Sequence, residues 1–228
     1  MNYLVTGANR GIGFELTSQL LTLGHNVVAC VRNPDRTKEL DMLVKEYGQQ
    51  CQILGMDVSF QKSIQQAVSL IKVAHLDVVI NSAGVLLNED ANIENLNVVD
   101  LNTSLQTNLF GPIHVTRATL KLLKNAKLPK LVNITSVMGS LADNSSGTAY
   151  SYRISKAALN MFSKNLAIGE KWLCVLMIHP GWVKTKMGGE NALIAPQESA
   201  GGMLKVIGAQ GLKDSGKFLN FRGEELPW

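Results

Sequence analysis

The sequence predicts an α/β fold: a doubly wound, mostly parallel sheet of seven strands with helices on both faces. Three observations carry this reading. Short continuous apolar runs recur along the chain, as strands buried on both faces require. The stretches between most of them are long enough for a crossover helix. The first run passes at once into a glycine-rich turn and then a helical pattern, the opening of a βαβ unit. The 228 residues suit one domain spanning 1–228, with no linker, repeat or low-complexity tract.

The expected strands are 3–6, 26–31, 52–56, 77–81, 130–135, 173–178 and 217–221. After the first strand, Phe14, Leu16, Leu20, Leu21 and Leu23 repeat as one buried side of a helix, which Gly24 is placed to end. Residues 88–108 are rich in Asn and mix loop with a helix start. The stretch 121–130 carries four lysines and reads as a solvated helix end and loop. Residues 142–148 are small and polar, a loop leading into the next helix, and the glycine-containing stretch 187–196 is expected to cover a site.

Composition narrows the function. Hydrophobic residues make up 46% of the chain, enough for a globular core. The net charge of +4 is scattered rather than gathered into a basic stripe, which argues against nucleic acid. Cys30, Cys51 and Cys174 show no spacing for a disulfide framework or a metal site, so a reduced, cytoplasmic protein is expected. His25, His75 and His114 lack metal-like partners, no metal is assigned, and His179 after a buried strand is expected to be packed. No signal peptide is expected, because a strand pattern begins by Tyr3. The longest apolar run, 172–178, is far short of the ~20 residues of a membrane span.

The turn after the first strand reads Thr6-Gly7-Ala8-Asn9-Arg10-Gly11-Ile12-Gly13. Gly7 permits a tight turn, Gly11 lets the backbone approach a pyrophosphate, and Gly13 lets the helix pack close to the sheet. Backbone N–H groups at the helix start then face the anion. Gly7, Asn9, Arg10, Gly11, Ile12 and Gly13 are therefore candidate cofactor contacts. The second strand ends Ala29-Cys30-Val31-Arg32, with no acid before Asp35 to meet ribose hydroxyls. Arg32, helped by Arg10, suits a 2′-phosphate, which predicts NADP(H) over NAD(H). The plainer alternative is two solvated surface arginines.

Downstream, Tyr152 and Lys156 stand four residues apart and share a helix face. A free tyrosine, with pKa ~10, is a poor proton carrier at neutral pH. A nearby ammonium stabilises the phenolate and makes that proton mobile. Ser136, at the carboxyl end of the fifth strand, is placed to hydrogen-bond the same substrate oxygen. Tyr150 lies two residues earlier but has no lysine at the matching position. A Tyr-x-x-x-Lys alone recurs by chance in helices. Joined to the glycine loop and Ser136, it points to hydride transfer between a nicotinamide and a carbonyl or alcohol.

With these motifs the chain resembles the short-chain dehydrogenase/reductase family over nearly its whole length. Asn81-Ser82-Ala83-Gly84 resembles the family's motif after the fourth strand, with Ser in the second place. Asn108, Ser136, Tyr152 and Lys156 match its catalytic tetrad, and Asp57-Val58 matches the pair that meets the adenine. Pro180-Gly181, with Val183 and Thr185 following, resembles the segment beside the nicotinamide. Ala142-Asp143-Asn144, Tyr152-Arg153 and Leu226-Pro227-Trp228 are similar to the sniffer carbonyl reductase and C-factor group, and the interval between Ser136 and Tyr152 is somewhat long, as in that group.

The resemblance implies a Rossmann-type fold and NADPH-dependent reduction of a ketone or aldehyde. Lys156 would bind the nicotinamide ribose, Asn108 would hold a water in a proton relay, and Ser136 would orient the carbonyl. Members of the family commonly form dimers or tetramers through the helices around Asn108 and Tyr152. The C-factor likeness keeps open an NADP(H)-binding signalling protein with little turnover. Trp182 and Met187, which follow Pro180-Gly181, are candidates to line a substrate pocket, with ordinary loop packing as the alternative. The segment after Thr185, apolar in part through Met187, Leu193 and Ile194, suits a small to medium, partly apolar carbonyl compound.

Overall fold

The computed structural model describes residues 1–35, 37–87 and 92–228. In chain order the elements are β1 (Asn2–Thr6), α1 (Gly11–Thr22), β2 (Asn26–Val31), α2 (Lys38–Tyr47), β3 (Cys51–Gly55), α3 (Gln61–Ser69) and β4 (Val78–Asn81). There follow α4 (Val98–Leu105), a π-helical turn (Gln106–Phe110), α5 (Gly111–Lys124), β5 (Lys130–Ile134), α6 (Tyr150–Gly169), β6 (Cys174–His179), α7 (Pro196–Ala209) and β7 (Phe218–Asn220). The strands form one sheet in the order β3-β2-β1-β4-β5-β6-β7, every pairing parallel. The chain winds outward from β1 to β3, then returns to lay β4 on the other side of β1. The carboxyl ends of β1 and β4 thus flank the switch point where such sheets bind ligands.

All seven expected strands are present, their ends unchanged or shifted by one residue. They were legible because both faces are covered. Val5, Ala29, Val132 and Leu176 pack against α1, α2 and α7. Leu4, Val28, Leu131 and Val175 pack against α3, α5 and α6. Successive side chains point to opposite faces, so two buried faces leave an uninterrupted apolar run.

Helix α1 buries Leu16, Leu20 and Leu21 as expected. Leu23 departs from the expectation: it caps the helix end and is 62% exposed. Gly24, at φ 78°, closes the helix, its N–H donating to Leu21 O and that of His25 to Leu20 O. This is the paired bonding of a Schellman motif, which needs a left-handed residue at that point. Helix α4 is capped by the Asn97 side chain, which accepts from Val99 N at 2.9 Å. Part of the Asn-rich stretch, 88–91, lies outside the described residues.

The lysine-rich stretch requires a correction. Lys121, Lys124 and Lys127 are exposed, but Lys130 is buried at the start of β5. Its Nζ donates to Ile207 O at 2.5 Å and Gln210 O at 2.7 Å, at the end of α7. A cation there satisfies carbonyls that a helix end leaves open and meets the negative end of its dipole.

Candidate active site

The glycine turn forms a cradle that side chains would fill. A Cβ on Gly13 would lie 2.3 Å from Gly7 O, and one on Gly7 2.9 Å from Ala83 Cα. Gly7 and Gly11 take φ of 68° and 54°, where other residues are strained. Helix α1 starts without a side-chain cap and without an acid in its first turn. Its leading N–H groups, at Gly11, Ile12 and Gly13, are therefore left for an anion. Thr6 Oγ1 accepts from Ser82 N at 3.0 Å and Ala83 N at 3.1 Å, tying the end of β4 to the cradle. A Cβ on Gly11 would meet the Thr185 methyl at 3.2 Å, so the segment after β6 comes down beside the same turn. These residues fit a dinucleotide pyrophosphate.

Arg10 and Arg32 are both exposed, and neither side chain pairs with an acid among the described residues. Asp57 Oδ1 accepts from Ser59 N and Ser59 Oγ, which fixes the turn after β3, and Val58 is buried beside Gly111. Asn81 turns its amide inward, Nδ2 donating to Asn133 Oδ1 at 2.8 Å. Val183 is buried and bridges Ile194, while Pro180 O accepts from Ser199 Oγ.

Asn108 lies fully buried in the π-helical turn between α4 and α5. Its Oδ1 accepts from Val85 N at 2.8 Å, and its Nδ2 donates to Val85 O at 2.9 Å and Ser155 Oγ at 3.0 Å. A Cβ on Gly84 would stand 3.3 Å from Asn108 Oδ1 and 3.8 Å from Lys156 Nζ, which brings β4, the π turn and α6 to one point. Lys156 donates from Nζ to Ile134 O at 2.9 Å, and the same Nζ lies 5.6 Å from the centre of the Tyr152 ring. Loss of water pushes its pKa down to about 8, so most of the charge survives at neutral pH.

Ser136 follows β5 and heads the turn Val137–Gly139, its Oγ accepting from Met138 N at 3.1 Å. That turn lies directly on α6: a Cβ on Gly139 would be 2.8 Å from the Lys156 carbonyl carbon. Ser136, Tyr152 and Lys156 are all buried. Helix α6 starts from Ala149, whose φ of 54° and ψ of 45° are left-handed. Ala149 is the one non-glycine with positive φ among the described residues, and such strain persists only where the surroundings enforce it.

Sequence reasoning missed Ser155, whose Oγ donates to Tyr152 O at 2.8 Å while accepting from Asn108. It also missed Val85 and Ile134, which act through backbone atoms and carry no side-chain signal. Thr6, directly before the first glycine, was the one such residue with a signal in its position. His179 is packed as expected, and burial pushes its pKa down to about 4.

The glycine-containing stretch folds as a flap. Ile194 N donates to Trp182 O, Trp182 Nε1 to Gly188 O, and Gly188 N to Thr185 Oγ1. Trp182 and Met187 are exposed on it. Ile194 packs into the core over Gly181, where a Cβ would stand 2.3 Å from its Cδ1, and Leu193 is 80% exposed.

The short chain dehydrogenase family pattern matches residues 2–193. The chain is 39% identical to the C-signal of Myxococcus xanthus over 155 residues, which is 67% of this chain and 93% of that protein. It is similar to the solved NADPH-bound carbonyl reductase from chicken fatty liver, with a TM-score of 0.93 and 36% identity over 100% of this chain and 98% of that one. It is also similar to the carbonyl reductase Sniffer of D. melanogaster, with a TM-score of 0.93 and 32% identity over 100% and 99% of the two chains.

The state of Lys156 yields a stability prediction. Its folded pKa of about 8 lies below the ordinary lysine value of 10.5. Between those values the unfolded chain holds more proton, so this group's contribution to stability rises with pH through that window. The unfolding free energy of the wild type minus that of Lys156→Met should rise by up to ~3 kcal/mol from below the folded pKa to the ordinary lysine value. Urea denaturation across that range checks it, and a flat difference would show that the ammonium is solvated.

Proposed function

Because the chain belongs to the short chain dehydrogenase family, we propose that this oxidoreductase uses NADPH to reduce a ketone or aldehyde to an alcohol. The observation that carries the reading is the buried Lys156 ammonium, held by Ile134 O and 5.6 Å from the Tyr152 ring, beside Ser136 at the end of β5. The glycine cradle supports a dinucleotide, and Arg10 and Arg32, unpaired with any described acid, support the 2′-phosphate of NADP(H). When bound, NADPH supplies the hydride.

The chain's own residues supply position and protons. Ser136 Oγ accepts from Met138 N, which leaves its proton to donate to the carbonyl oxygen. Tyr152 delivers its phenolic proton to that oxygen as negative charge develops there. The Lys156 ammonium favours the resulting phenolate. Asn108 uses both amide hydrogens on Val85 O and Ser155 Oγ, so a relay water at this point would rest on backbone carbonyls of the π turn. π-helical turns of this kind are frequent at functional sites.

Residues 1–228 act as one unit in this reading. Three buried free thiols support a cytoplasmic setting. No helix among the described residues is long and apolar enough to cross a membrane. Ile154, Met161 and Ile168 form an exposed apolar stripe along α6, which supports a homodimer or homotetramer built on that helix. The likeness to C-signal supports a second reading, an NADP(H)-binding signalling protein with little turnover.

Three measurements test these proposals. Tyr152→Phe should lower carbonyl-dependent NADPH oxidation by about 10²–10⁴-fold while leaving NADPH affinity unchanged. Wild-type turnover in that variant would remove the tyrosine's role, and tight NADPH binding without turnover on a broad carbonyl panel would favour the signalling reading. Arg32→Ser should weaken NADPH binding by roughly 10–100-fold, the worth of a charge-assisted hydrogen bond, and spare NADH. Equal wild-type affinity for both cofactors would end the NADP preference. Met161→Glu should reduce the mass seen by light scattering to that of a monomer, and an unchanged oligomer would discard the α6 interface.

A further inference from the structure

Reduction as proposed needs the hydroxyls of Ser136 and Tyr152 to meet one carbonyl oxygen. Between the turn that Ser136 heads and the helix that bears Tyr152 runs a loop, residues 140–149, with an exposed stretch at 141–148 and no regular structure. Loops of this kind ordinarily move. The bonds within it, Asp143 N to Ser140 Oγ, Asn144 N to Leu141 O, Gly147 N to Asn144 Oδ1 and the contact of the Ser146 and Thr148 hydroxyls, span three residues or fewer and shape local turns only.

Arg153 ties the loop to both of its neighbours. Its Nε donates to Thr148 O at 2.9 Å, its Nη2 to Ser146 Oγ at 2.8 Å, and its Nη1 to Met138 O at 3.4 Å. Met138 belongs to the turn headed by Ser136, and Ser136 Oγ itself accepts from Met138 N. The backbone N–H of Arg153 donates to Ala149 O at 2.9 Å. Side chain and main chain of one residue therefore hold the carbonyls of Thr148 and Ala149, on either side of the left-handed backbone of Ala149. On the far side of the loop, Ala142 N donates to Trp228 O at 2.9 Å. The Trp228 ring rests 5.5 Å from that of Phe218, with Lys164 Nζ 5.2 Å from its centre.

We propose that Arg153 is a positioning residue that sets the separation of the Ser136 and Tyr152 hydroxyls by clamping the 140–149 loop between them, with Trp228 as the loop's second anchor. A guanidinium spans acceptors in three directions from one rigid plane, which a lysine ammonium on a flexible stem cannot reproduce. Misplacement of a reacting group by about 1 Å can cost on the order of 10²-fold in rate. The catalytic half of this proposal rests on the reductase reading, whereas the clamp itself does not.

The test uses the full chain with Arg153→Ala and Arg153→Lys. Amide hydrogen exchange in residues 140–149 should quicken by about 10-fold or more in both variants, with β5 and the second half of α6 unchanged. Carbonyl kcat/KM should fall by about 10²-fold while NADPH affinity stays at the wild-type value. Added methylguanidinium should restore Arg153→Ala and leave Arg153→Lys impaired. Unchanged exchange in the loop, or wild-type kcat/KM in both variants, would overturn the proposal. Should Arg153→Ala lose cooperative unfolding, Arg153→Lys carries the same readouts. A wild-type chain that binds NADPH yet reduces no carbonyl would defeat the reductase reading instead, and loop exchange would then decide the clamp alone.

Discussion

An ammonium removed from water costs several kcal/mol unless other groups take the place of its solvent. Lys156 is 5% exposed, and its ammonium donates to the Ile134 carbonyl at the end of β5. Much of the surrounding structure makes that contact possible. Helix α6 must lie close to the sheet's carboxyl edge, and Gly139 lacks a side chain where that approach leaves no room. Buried polar pairs hold α6 in register on β5: Thr135 Oγ1 donates to Asn160 Oδ1 and Asn133 Nδ2 to Ser163 Oγ, each at 2.7 Å. Across the helix, Asn108 reaches Ser155. A slip of α6 would leave several of these groups unpaired in a dry interior, where each costs about 1–3 kcal/mol.

The same contact explains why the site gathers residues so distant in sequence. β4 delivers Gly84, the π turn delivers Asn108, β5 delivers Ser136, and α6 delivers Tyr152 and Lys156. Gly84 and Ser136 lie just beyond the carboxyl ends of their strands, Tyr152 in the first turn of α6 and Lys156 in its second, and Asn108 in the π turn between two helices. Backbone groups there are not fully used by secondary structure and are open to other partners. Ile134 O holding Lys156 and Val85 N and O holding Asn108 are instances of this.

How much of this the sequence disclosed depended on the range of the interaction. The strands were legible because burial on both faces writes a continuous apolar run, and Gly24 because a left-handed helix end needs a residue without Cβ. The glycine cradle and the Tyr152–Lys156 spacing are also local patterns, so their positions could be read directly. The burial of Lys130 could not be: it opens an expected strand, but the carbonyls that receive its ammonium belong to Ile207 and Gln210, far along the chain. Ile194 likewise reads only as part of a partly apolar segment, and the flap that turns it onto Gly181 is a feature of the fold. Leu23 fitted the apolar repeat of α1 but fell one residue past its end. Ser155 and Arg153 stood inside the recognised motif, yet what they do depends on a loop and a π turn whose course local periodicity does not encode.

The bonds that Thr6 Oγ1 accepts from Ser82 N and Ala83 N bear on how the chain comes into being. On the ribosome β1 emerges with β2 and β3 close behind it, yet its other edge stays bare until β4 is made. During that interval the nascent protein exposes an unsatisfied strand edge, a template for pairing with another chain. The cradle is also unfinished, since one wall is the backbone at Ala83. Nucleotide binding is thus deferred until the centre of the sheet closes, and a chain interrupted before β4 has nothing to keep its first strand from a neighbour's.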